Sequence, residues 1–191
     1  MEIRLASIMD VDDILNIYEY YVEHTAVTFE YDVPSRGEMQ MRIARILEKY
    51  PYYVAVDEGR IVGYAYAGPF VGRAAYDWSV ELTIYLDVHE TKQGLGRMLY
   101  EKLEQTLHEM GILNLYACIA VPENPDEYLT RNSAQFHAHM GFQQVGEFHR
   151  CGYKFHRWYD MIWMEKIIGE HESKQAEVVP YPNMQHERMW Q

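Results

Sequence analysis

Residues 80–100 read VELTIYLDVHETKQGLGRMLY, and the rest of the chain is arranged around them. Val80, Leu82, Ile84, Leu86 and Val88 are apolar, while Glu81, Thr83, Tyr85 and Asp87 stand between them. That period of two is the mark of a β-strand. Past Gly94-Leu95-Gly96 the apolar positions Met98, Leu99, Leu103, Leu107 and Met110 recur at helical spacing. A strand that passes into a helix through glycines turns several backbone N–H groups toward one point. Free amides and the helix dipole both favour phosphate there. A dinucleotide fingerprint would need a third glycine where Leu99 stands, and a P-loop would need Gly-Lys followed by Ser or Thr. Nicotinamide redox and nucleotide hydrolysis are therefore poor fits.

The chain of 191 residues is long enough for one domain with its own core. Its formal charge of −12 argues against a nucleic-acid partner, whose binding rests on basic side chains. An acidic surface instead draws cationic small molecules, amines among them. The two cysteines, Cys118 and Cys151, form no Cys-x-x-Cys pair, so neither a disulfide framework nor a zinc cage is expected. No apolar stretch approaches membrane-spanning length and no leader precedes the first strand, so a cytoplasmic protein without membrane contact is expected.

In order, a short strand around Ile3 and Leu5 leads through Asp10 to a helix over about 11–23, with Val11, Ile14, Leu15, Tyr18 and Val22 on one face. A second helix is expected from Pro34 to Tyr50-Pro51. A hairpin follows, 52–56 and 61–66, with Gly59 in the turn and Gly68-Pro69 breaking its second strand. Residues 113–121 read as a strand covered on both faces, which would bury Cys118 as a small apolar residue. A short helix through Met140 and two strands, 142–148 and 154–166, complete a unit over 1–168. From Gly169 the chain is polar and aperiodic, expected to be mobile or draped on a partner subunit. The order β-α-α-β-β-β-α-β-α-β-β predicts an α/β fold: a central mixed sheet with helices on both faces.

Taken together, Glu81-Leu82-Thr83-Ile84-Tyr85-Leu86, Gln93-Gly94-Leu95-Gly96-Arg97 and Leu99-Tyr100 resemble the acetyl-CoA motif of the GNAT N-acetyltransferases, nearest their phosphinothricin acetyltransferase branch. Tyr66-Ala67-Gly68-Pro69, Arg73, Ala75-Tyr76-Asp77-Trp78, His137, Gly141-Phe142, Gly152-Tyr153-Lys154, Trp158 and Asp160 extend the likeness, in order, over about residues 2–167. The resemblance implies acetyl transfer from acetyl-CoA, without a metal, to the primary amine of a small, amino-acid-like acceptor. It implies that the pyrophosphate rests on Lys92, Gln93, Gly94, Leu95, Gly96 and Arg97, and that the pantetheine arm pairs with Ile84, Tyr85 and Leu86. One strand N–H would stabilise charge developing on the reacting carbonyl oxygen. Either Thr130 or Asn132 matches a CoA-contacting asparagine; Asn132 is taken as the candidate.

By the same resemblance Glu81 is the general base and His137 the second catalytic residue, while Arg73 and Tyr76 lie near the acceptor pocket. Glu81 in a covered strand would be costly unless water or a partner reached it, and a partly desolvated carboxylate suits deprotonation of an ammonium near neutral pH. His137 alone would read as a packed, hydrogen-bonded residue, and His139, two positions away, is not placed to share a metal with it. Tyr85 and Tyr100 read as packing. Three features depart from the branch: Thr91 replaces its usual Gln or Arg, the loop between Pro122 and Asn132 is longer, and Phe155 stands where it has a histidine. A peptide or protein amine as acceptor, and a CoA-binding module without turnover, are the other readings. A homodimer is expected from the family.

Overall fold

The computed structural model describes residues 1–90 and 94–188. In chain order these contain β1 (Glu2–Leu5), α1 (Val11–His24), α2 (Arg36–Leu47), β2 (Tyr52–Asp57), β3 (Arg60–Pro69), β4 (Ser79–Leu86), α3 (Leu95–Glu109), β5 (Asn114–Val121), α4 (Asn132–His139), β6 (Gln143–Lys154), β7 (Arg157–Ile167) and α5 (Tyr181–Arg188). The strands form one sheet ordered β1-β2-β3-β4-β5-β7-β6. Only the β4–β5 contact is parallel, joined through α3; every other pair is antiparallel. The mixed sheet with helices on both faces agrees with the expected fold.

The helices divide by their apolar stripes. Val11, Ile14, Ile17, Tyr18 and Val22 of α1 are buried with Met39 and Ile43 of α2 against β2 and β3. Leu95, Leu99, Leu103 and Leu107 of α3 are buried on the opposite face against Val80, Leu82, Leu115 and Ala117. The start of α1 is fixed by Arg4, whose guanidinium grips Asp10 through two bonds of 2.8 Å, while Ser7 N–H donates to the same carboxylate at 2.7 Å. In α2 the Ser35 hydroxyl accepts from Glu38 N–H at 3.2 Å.

Four boundaries differ from the sequence expectation. β3 continues through Gly68 to Pro69, paired with Glu81 and Val80. Its register with β2 has already stopped at Tyr66, so the missing proline N–H breaks no ladder on that side. The last hairpin turns at Phe155 and His156, with φ of 51° and 61°, rather than before Lys154. Those residues carry none of the Asn-Gly signal that marks such a turn. Between Phe148 and Gly152 the register shifts, with Arg150 at φ 50°.

The fourth is the segment after Gly169, which lies on its own chain. Val179 N–H donates to Met110 O at 2.9 Å and Tyr181 N–H to Lys49 O at 2.9 Å, while Ala176 O accepts from Trp78 Nε1–H at 2.7 Å. Met110 and Lys49 lie where α3 and α2 end, so the segment uses carbonyls that a helix leaves free. Val178, Tyr181 and Met184 then pack on the α3 side of the core. Among the described residues no helix is long and apolar enough to cross a membrane.

Candidate active site

β4 and β5 pair at three positions only, Ser79↔Asn114, Val80↔Leu115 and Glu81↔Tyr116. Beyond Glu81 they part, although β4 keeps its register with β3 as far as Leu86. The free edge of β4 therefore carries backbone groups with no strand partner. A cavity of about 1130 Å³ occupies the gap. Of the residues singled out in the sequence, Glu81, Ile84, Tyr85, Leu86, Gly94, Leu95, Gly96, Arg97, Asn132 and His137 line it, and so does Thr130.

The glycines have separate reasons. Gly94 takes φ +92°, a left-handed turn that feeds the chain into α3. Gly96 is buried, and a Cβ there would sit 3.2 Å from the Phe136 ring and 3.5 Å from Ile84 Cδ1. Small residues thus bring the first turn of α3, whose amides have no partner within the helix, up to the cavity. Arg97 is exposed and ion-paired to Glu101 at 2.7 Å. Lys92, Gln93 and Thr91 fall outside the described residues.

Glu81 is half-buried at the point where the strands separate. Opposite it on β3 stands Gly68, which brings no side chain; a Cβ there would lie 3.5 Å from Ile46 Cδ1 of α2. No hydrogen bond or ion pair holds the carboxylate among the described residues, and burial pushes its pKa above the ordinary glutamate value. Burial, followed by the Glu81 charge, pushes Tyr100 well above the usual phenol range, so its hydroxyl stays protonated.

His137 is 3 % exposed. Its Nδ1 lies 2.7 Å from Ser133 O, a pure acceptor, so Nδ1 carries the proton and Nε2 accepts from the Tyr100 hydroxyl at 2.9 Å. Desolvation lowers the imidazole pKa below its ordinary value, so His137 is neutral at pH 7. It is packed and hydrogen-bonded, yet it reaches the cavity together with Tyr100.

Several placements differ from expectation. Cys118 is exposed to the cavity rather than buried in the core, because β5 has no neighbour on the β4 side beyond Tyr116. Desolvation deep in the cleft still pushes its thiol up to about 12, which disfavours a thiolate. Arg73 and Tyr76 lie exposed on the turn between β3 and β4 and do not line the cavity. Among the described residues one trio has metal-ligand character, Glu147, His149 and Asp160, and it sits on the β6–β7 hairpin outside this cleft.

Two contributors were assigned no role from the sequence: Tyr100, read there as packing, and the link after α1. Tyr100 belongs to the regular stripe of α3, and only the fold turns its hydroxyl to His137. Thr25, Val27, Thr28 and Phe29 come from the aperiodic link between α1 and α2 and form part of the wall.

The model for the acetyltransferase (GNAT) domain matches residues 3–163. Phosphinothricin N-acetyltransferase of Streptomyces viridochromogenes is 33% identical over 166 residues, 87% of each chain. L-methionine sulfoximine/L-methionine sulfone acetyltransferase of Salmonella typhimurium is 29% identical over 92% of this chain and 99% of its own. The crystal structure of a phosphinothricin acetyltransferase from Sinorhizobium meliloti in complex with acetyl-CoA superposes with a TM-score of 0.84 at 33% identity, covering 94% of this chain and 97% of that one. With the family model matched over residues 3–163, a third of positions shared with a relative over 87% of the chain and the fold shared over 94% of it, this chain belongs to the GNAT acetyltransferases.

Proposed function

We propose that the protein transfers an acetyl group from acetyl-CoA to the primary amine of a small, amino-acid-like acceptor, with Glu81 as general base. The observation that carries this is the Glu81 carboxylate, half-buried and without a partner among the described residues, at the mouth of the β4–β5 cleft. The cleft fits the donor: Ile84, Tyr85 and Leu86 lie where β4 has no neighbour in β5, although the Leu86 carbonyl accepts from the Tyr21 hydroxyl at 2.7 Å, and Gly94, Leu95, Gly96 and Arg97 offer first-turn amides where a side chain at 96 would press on Phe136. Lys92, Gln93 and Asn132 are assigned to the same donor by resemblance. Bound acetyl-CoA supplies the acetyl group as a thioester.

The residues of the chain then divide the work. Glu81 accepts the proton of the acceptor ammonium, directly or through water, so that the amine can attack; its raised pKa suits this near neutral pH. Unpaired N–H groups of β4 stabilise charge developing on the carbonyl oxygen. His137, neutral and bonded to Tyr100, moves protons through that hydroxyl. Arg73 and Tyr76, which lie outside the cavity, are assigned to the carboxylate of an acceptor by resemblance alone. The relatives that act on phosphinothricin and on methionine sulfoximine or sulfone support an amino-acid-like acceptor. Val145, Phe148, Tyr153 and Trp158, exposed on β6 and β7, support a homodimer, which light scattering would read as twice the chain mass.

The test is a thiol-release assay with acetyl-CoA over free amino acids, their sulfone and phosphinate analogues, amines lacking a carboxylate, and short peptides. Turnover confined to peptides would replace the acceptor assignment. Acetyl-CoA binding with no turnover on any amine would overturn the reading.

A further inference from the structure

Once β4 and β5 part, backbone pairing no longer sets the width of the cleft. Another set of contacts spans it. Residues 25–31, attached to α1, reach across to the far half of the sheet. Ala26 N–H donates to Tyr128 O at 3.0 Å, and the Tyr31 hydroxyl donates to Tyr153 O. Lys154, at the end of β6 and only 2 % exposed, donates from Nζ to Thr25 O and to Thr28 O, each at 2.9 Å. It makes no ion pair among the described residues. Burial lowers its pKa, and the Glu30 charge opposes that shift.

A buried ammonium held by two neutral carbonyls is an expensive anchor, because any apolar side chain would avoid its desolvation. What it anchors is specific. Thr28 is also bonded through its hydroxyl to Tyr18 at 2.9 Å, so the loop is tied to both halves of the molecule. Next to it, the Phe29 ring lies on Gly152, and a methyl group at 152 would overlap that ring. Thr25, Thr28 and Phe29 all line the cavity that holds Glu81.

We infer that Lys154 is a positioning residue: with Gly152 it clamps residues 25–31 as the acceptor-side wall of the cavity and makes Phe29 a determinant of which amine is accepted. This rests on the acceptor reaching Glu81 through that cavity. Lys154 acts through the loop and does not touch the reacting atoms.

Two variants test it, each read by amide exchange, by acetyl-CoA titration and by the thiol-release assay. In Lys154→Met, exchange at Ala26 is expected to quicken about ten-fold or more, the loss expected for hydrogen bonds from a charged donor, while α3 amides stay unchanged. Acceptor KM should rise by a similar factor with the Kd for acetyl-CoA held within about two-fold. In Gly152→Ala, the displaced Phe29 ring should change the kcat/KM ratio of L-methionine sulfone to the bulkier L-phenylalanine by about five-fold or more, again at constant acetyl-CoA affinity.

Unchanged exchange at Ala26 in Lys154→Met together with an unchanged acceptor ratio in Gly152→Ala would overturn the proposal. So would acceptor KM and acetyl-CoA Kd moving in parallel, since a merely structural anchor would disturb both. If Lys154→Met does not fold, the Gly152→Ala ratio decides alone. The two readings fail separately: full turnover in Glu81→Gln removes the base assignment, whereas exchange at Ala26 needs no turnover to be read.

Discussion

Geometry sets the surroundings of Glu81, the proposed base. β4 leaves β5 at this residue, so the carboxylate faces open space on one side and protein on the other. Replacement by glutamine should lower kcat roughly 100-fold or more near neutral pH while acetyl-CoA affinity stays nearly intact. Because burial raises the Glu81 pKa, wild-type kcat/KM should climb with pH through a midpoint above the ordinary glutamate value, and the variant should lose that limb. Stability runs the other way. A group whose pKa is raised on folding binds its proton more tightly in the native state, so wild type loses stability as pH rises through that folded pKa. Glu81→Gln should therefore melt higher than wild type at pH 8, with the difference vanishing below about pH 4, where both side chains are neutral. Tyr100→Phe tests the companion pair: it leaves His137 Nε2 buried without its donor, which should cost about 1–3 kcal/mol in chemical denaturation. Turnover should fall beyond what the stability loss explains if protons pass through the phenol.

At the scale of elements, the β4–α3 unit is the proposed donor site. The stripe Leu95, Leu99, Leu103 and Leu107 fixes the rotation of α3, and Gly96 sets its distance from Phe136 and Ile84. A valine at 96 keeps that stripe but pushes into Phe136, shifting the first-turn amides away from the strand edge. Gly96→Val should weaken acetyl-CoA binding about ten-fold by titration, with far-UV circular dichroism unchanged. An unaltered Kd would mean that the first turn of α3 is not the phosphate site. This unit was legible because both of its periods are unmixed, two along β4 and near 3.6 along α3. The β6–β7 turn was not: Phe155 and His156 adopt positive φ without a glycine or asparagine to announce it.

For the whole molecule, the segment after Gly169 matters more than its composition suggests. Val178, Tyr181 and Met184 cover the side of the core that holds Tyr50 and Met110, and the Tyr181 hydroxyl lies 3.4 Å from that of Tyr53. Ending the chain at Ile168 should cost about 2–4 kcal/mol, judged from partial burial of three apolar side chains. The expected outcome is a lower Tm with kcat largely kept, since none of these residues lines the cleft. Loss of activity without loss of stability would assign the segment a role in the site instead.

What the sequence alone determined is what depends on local order. The alternation of β4, the stripe of α3 and the glycines between them specified a strand, a helix and an amide cluster, and the motif placed Glu81 beside them. Most of the singled-out residues do meet in one cleft. What tertiary structure decided is everything that depends on where the sheet opens. The parting of β4 and β5 exposed Cys118, and the packing of α4 on α3 turned Tyr100 to His137. The same fold carried the link after α1 across the cleft to Lys154. Those contacts join residues far apart in the chain, and no periodicity records them, because each depends on two surfaces whose relative position is set only when the core packs.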